Sequence, residues 1–154
     1  MTILKWALAL IVGGFLIMMG VMKFTGGAHI FQYIEFKAGS AGIPFADLAY
    51  PLGNYATGLL EIASGALLIL PMTRQLGAKL AILPLLGAVI FHLSPLLGVT
   101  TPDGFSDPAP VAALAAGGPF ARTDFSTGES NMLFMMAAGM LVVAIINFVV
   151  QRRG

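Results

Sequence analysis

Four long apolar stretches, separated by segments richer in Gly, Pro and charged residues, organise this chain. They cover about residues 3–24, 51–70, 76–98 and 131–150. Each is close to the roughly 20 residues that a helix needs to cross bilayer hydrocarbon. Residues 6–22 contain no polar side chain at all. The pattern predicts an all-α integral membrane protein, a single transmembrane domain over 1–154. Its four spans form a four-helix bundle of two hairpins, with a tight turn at 72–75 and two long outer loops, 25–50 and 99–130. The first stretch reads as a retained span, not a signal peptide. Its positive start is a single Lys5, its apolar core is too long, and Met22-Lys-Phe-Thr25 stands where small cleavage-site residues belong.

The loops have patterns of their own. In the first, His29, Gln32 and Glu35 recur every three residues while Ile30, Phe31 and Ile34 share another side. That predicts a short amphipathic helix lying on the membrane, broken by the Gly39–Pro44 segment. The second loop, rich in Pro, Gly, Ala and Asp, reads as coil with room for a short helix at 111–116. Loops of this length usually serve function or move. The order span, long loop, span occurs twice, but no residue-level repeat accompanies it.

One span is not purely apolar. At about 100° per residue, Asn54, Gly58, Glu61 and Gly65 share a narrow sector, bordered by Thr57 and Ser64. Lipid-facing surfaces are apolar and helix contacts in membranes favour small residues, so Glu61 is expected to face the bundle interior. A carboxylate at that depth is costly and marks a functional candidate by default. Lys23 shares a stripe with Gly13, Leu16 and Gly20, and its stem can bend along apolar surface. His92 lies about two turns from the outer end of the third span, and Asn131 opens the fourth. Packing the spans as a bundle brings Lys23, Asn54, Glu61, His92 and Asn131 together in the outer half. The inner half holds little that is polar besides Ser64 and Asn147.

Two readings of that cluster stay open. It is either a polar pocket open to the outer side, able to pass protons or hold a polar head group, or an internal pair that sets helix register. Met132, Met135, Met136 and Met140 surround Gly139 on the fourth span. Such a stripe is ordinary packing or the lining for a lipid or quinone tail, and packing is the commoner use. Pro84 is expected to kink the third span.

Composition narrows the chemistry. Of 154 residues, 58% are hydrophobic and 10% are charged, against about 25% charged in a soluble domain. Net charge is +1 with no basic cluster, which leaves nothing to grip nucleic acid. The absence of cysteine excludes disulfides, thiolate metal sites and thiol relay. His29 and His92 are too few for a metal site without carboxylate help, and haem ligation by that pair needs the loop helix to fold over the bundle. No phosphate loop, nucleophile elbow or credible catalytic triad is present. No cofactor is evident, and whether the chain is an enzyme is undecided by these residues.

Orientation follows from Lys and Arg. Lys5, Arg74, Lys79, Arg152 and Arg153 fall on the side of the termini, against Lys23, Lys37 and Arg122 opposite. That excess puts the N- and C-termini in the cytoplasm, with Trp6 an anchor at that face and Tyr50 and Tyr55 at the other.

Three motifs in order resemble the DoxX family. Gly20-Val-Met-Lys23-Phe24 closes the first span, Gly42-Ile-Pro44 lies in the following loop, and Gly58-Leu-Leu-Glu61-Ile-Ala-Ser-Gly65 is followed by Thr73-Arg74 at the inner end. The resemblance covers about the first half of the chain. The third and fourth spans match in general character, and the 99–130 loop departs from compact members. It implies a small four-helix inner-membrane protein in which Lys23 and Glu61 pair or share a pocket. It also implies a link to the thiosulfate and quinone oxidoreduction from which the family takes its name.

Three functions follow as expectations. The first is an accessory or quinone-associated subunit of a membrane redox system, with redox-protein partners. The others are a non-catalytic scaffold or assembly factor, and a small proton-coupled transporter. Beyond the lipid bilayer, a homo-oligomer is allowed but not required by the small residues on several helix faces.

Overall fold

A computed structural model describes residues 2–25, 30–102 and 129–152. The expected helix at 111–116, His29 and Arg122 lie outside the described residues. Among the described residues five long helices follow one another: α1 Thr2–Thr25, α2 Ile30–Ser40, α3 Asn54–Ile69, α4 Arg74–Leu93 and α5 Met132–Arg152. Short turns of helix over Ala46–Leu48 and Ala49–Gly53 lead into α3. A two-residue antiparallel pairing joins Thr101–Pro102 to Glu129–Ser130. Helices α1, α3 with its leading turns, α4 and α5 are long and apolar enough to cross a membrane. At 1.5 Å per residue, the 24 residues of α1 reach about 36 Å, enough for a hydrocarbon core of roughly 30 Å.

The third span is shorter than the apolar run suggested. It stops at Leu93, and Ser94 turns extended before Pro95, the conformation that a following proline favours. The apolar residues beyond it are not helix. Leu97 instead packs under α2 against Tyr33 and Ile34. Pro84 is buried inside an unbroken α4.

Helix α1 lies along α3, α3 along α4 and α4 along α5, with a lighter α1–α5 contact closing the bundle. The α1–α3 pairing is the most extensive, and α4 meets α3 and α5 about equally. Their centre is made of Ala9, Val12, Leu16, Leu68, Ala78, Ala81, Leu85 and Ala144. Half of these are alanines. In lipid there is no hydrophobic gain from helix association, so close backbone approach through small residues carries the packing. The α1–α3 seam uses two such glycine pairs: Gly13 faces Gly65 and Gly20 faces Gly58.

Helix α2 ends in a glycine cap. The Ile43 N–H donates to the Ala38 carbonyl and the Gly42 N–H to the Gly39 carbonyl, with Gly42 left-handed at φ 70°. Both bonds satisfy carbonyls that a helix end otherwise strands. The buried face of α2 is Tyr33, Ile34 and Ala38, packed against Leu97, Ala49 and Leu133. Ile30 and Phe31, expected on that face, are half-buried. So α2 docks across the end of the bundle.

Candidate functional site

The periodicity that put Asn54, Gly58, Glu61 and Gly65 on one face of α3 also buries all four. That face meets the stripe of α1 that ends in Lys23. The Lys23 Nζ lies 2.7 Å from Glu61 Oε2, and the two side chains are 5% and 10% exposed. Gly20 and Gly58 bring the helices close at this level. A Cβ on Gly58 would stand 3.2 Å from Lys23 Cβ. The lysine stem therefore lies against α3 and its ammonium arrives at the carboxylate.

The pair has a roof and a wall. Phe31 of α2 stands with its ring 5.9 Å from Lys23 Nζ, within the range of a cation–π contact. Asn54, 2% exposed, donates through Nδ2 to the Lys23 carbonyl at 3.0 Å. That bond satisfies one of the carbonyls stranded at the end of α1. The other amide atom, Asn54 Oδ1, is buried without a partner among the described residues. Such atoms are uncommon and call for a donor.

Two of the five residues expected here stand elsewhere. His92 lies in the last turn of α4, since that helix ends at Leu93. Its Nδ1 donates to the Gly98 carbonyl at 2.9 Å, which leaves the proton on Nδ1. The ring meets Phe134 of α5 edge-on, centroids 5.9 Å apart. His92 thus ties the turn after α4 to the bundle. Asn131 is exposed, and its carbonyl accepts the N–H of Met135 as α5 begins. The cluster is Lys23, Asn54 and Glu61. Met132 and Met135 are exposed while Met140 packs on the core, so the methionines do not line one cavity.

The opposite end holds a second polar group that the sequence pattern did not disclose. Arg74 is buried, donates through Nε to Leu68 and through Nη2 to Ile69, and stacks 3.9 Å above the Trp6 ring. Thr73 Oγ1 donates to Leu67 and the Leu70 N–H to Ala66. All four terminal carbonyls of α3 are thereby satisfied, which matters where water is scarce. On α5, Gln151 Nε2 bridges the Asn147 side-chain oxygen and the Lys5 carbonyl. The spacing of Asn147 and Gln151, one helical turn apart, was the available signal. Between the two polar ends, Val12 and Leu16 are at most 1% exposed and fill the middle.

Comparison with protein-family models, with curated proteins and with solved structures found no match.

Proposed function

We propose that this chain is a DoxX-like accessory subunit of an inner-membrane redox assembly that acts as a scaffold without a reaction of its own. The observation that carries this reading is the closed Lys23–Glu61 contact at 2.7 Å. Each charge is spent on the other, and the pair sits where the glycines bring α1 and α3 together. Removing one partner of such a pair strands a buried charge, so the pair defines helix register at a steep penalty for error. The apolar packing of Val12 and Leu16 between them runs against a proton path from Glu61 to Asn147. The redox context rests on the resemblance of the first two spans to DoxX proteins. Lys5, Arg74, Lys79 and Arg152 at one end of the bundle support cytoplasmic termini.

Purification from native membranes in mild detergent tests the reading. A membrane partner should stay with the wild type and be lost from Glu61→Gln, with proton flux into vesicles the same for both. Flux that depends on Glu61 would favour transport instead.

A second reading is favoured by Asn54 Oδ1, which has no donor among the described residues. An all-apolar groove along Phe24, Pro51, Leu52, Tyr55 and Leu59 runs beside α1 and α3. A quinol hydroxyl at Asn54 and an isoprenoid tail in the groove would use both features. Organic extraction of the purified protein would then yield quinone from the wild type and much less from Asn54→Leu.

A further inference from the structure

Between the C-terminal half of α2 and the turn after α4 lies an open cleft of about 680 Å³. Phe36, Lys37, Ser40, Ile43, Pro95 and Leu96 line it. We propose that this cleft seats the head group of an anionic phospholipid, independently of the role assigned to Lys23 and Glu61.

The level in the membrane is the first reason. Helix α4 ends at Leu93, which is 65% exposed on the apolar surface, and Pro95 and Leu96 follow at once. The cleft therefore opens where a span leaves hydrocarbon for the head-group layer. Beside it, Ile43 and Phe45 are exposed, and apolar and aromatic groups at that boundary contact lipid.

Charge is the second. Lys37 is the one charged residue of the lining. Its ammonium lies 6.0 Å from the Tyr33 ring centroid, and among the described residues it is in no ion pair. Glu35, two positions earlier, points to a different side of the helix. Ser40 adds a hydroxyl at the same rim. A lysine and a hydroxyl suit a phosphodiester, while Phe36, Ile43 and Leu96 suit the start of acyl chains. A soluble anion would leave those apolar walls unused, and a neutral lipid would leave the lysine unused.

Native mass spectrometry of the full chain, released from detergent with equal phosphatidylglycerol and phosphatidylcholine, tests the proposal. The wild type should retain phosphatidylglycerol in preference. Lys37→Met, which keeps the aliphatic stem, should lower that retention about fivefold, the contribution of one interfacial lysine. Lys37→Arg should keep it, as should Lys79→Met on the far half of α4. Unchanged helicity and melting temperature of Lys37→Met separate lost binding from lost fold. Equal retention of both lipids, no effect of Lys37→Met, or displacement by millimolar inorganic phosphate would each overturn the assignment.

Discussion

Gly20 of α1 and Gly58 of α3 meet backbone to backbone. A Cβ on Gly20 would lie 2.6 Å from the Gly58 carbonyl oxygen, nearer than any real side chain sits. One heptad away, a Cβ on Gly65 would stand equally close, 2.6 Å, to the Gly13 carbonyl. The equal seven-residue step on two antiparallel helices keeps the seam in contact over two turns.

Adding a methyl group at this seam should therefore force the helices apart. Gly20→Ala and Gly65→Ala are each expected to lower stability by about 1–3 kcal/mol, the range for overpacking, in detergent melts followed by circular dichroism. Gly14, with no atom within 4 Å of a built Cβ, is the control. Gly14→Ala should leave stability unchanged or raise it by up to ~1 kcal/mol through helix propensity.

The ion pair is expected to behave non-additively. Glu61→Leu or Lys23→Met alone should cost about 3–5 kcal/mol, because the remaining charged group stays buried without its counter-charge. Lys23→Met combined with Glu61→Leu should recover most of that loss. A double-mutant cycle on unfolding free energies reads the coupling directly, and additive losses would refute a closed pair.

Arg74 offers an optical readout, since Trp6 is the single tryptophan. Arg74→Ala removes both the cap on α3 and the guanidinium from the indole face. Trp6 emission should shift in wavelength or intensity, and stability should fall by about 1–2 kcal/mol from lost bonds to the Leu68 and Ile69 carbonyls. Unaltered emission would place Trp6 away from the arginine.

A pH effect is expected outside the spans, at Glu35 on α2. Burial, and after it the nearby Asp47 carboxylate, push its pKa above the usual 4.5. The folded state then holds the proton more tightly than the unfolded chain. Stability should fall as pH rises from about that value through the raised one, because the unfolded state releases its proton first. Glu35→Gln should flatten this part of the profile and raise the melting temperature at neutral pH. Melting curves against pH for the two proteins provide the comparison.

Much of this was readable from residue order alone, and the reason differs by feature. Spans were readable because hydrocarbon thickness sets a length that composition displays. The polar sector of α3 was readable because helical periodicity places Asn54, Glu61 and the glycines together before any partner is known. His92 was misplaced because Ser94–Gly98 is as apolar as a span. Only the proline and the burial of Leu97 beneath α2 reveal a turn there. Asn131 was misplaced for a related reason, since beginning a helix says nothing about which way its side of the bundle faces.

The amino-acid order by itself determined four apolar helices and the face on which an acid had to be hidden, because both follow from periodicity and the cost of charge in lipid. The tertiary structure decided which partners met. It chose Lys23 over His92 for Glu61, set Arg74 on Trp6 and the end of α3, and laid α2 across the bundle so that Phe31 covers the pair. Those choices depend on interhelical distances that the glycines permit and on where α4 stops. Neither is a property of one helix considered alone.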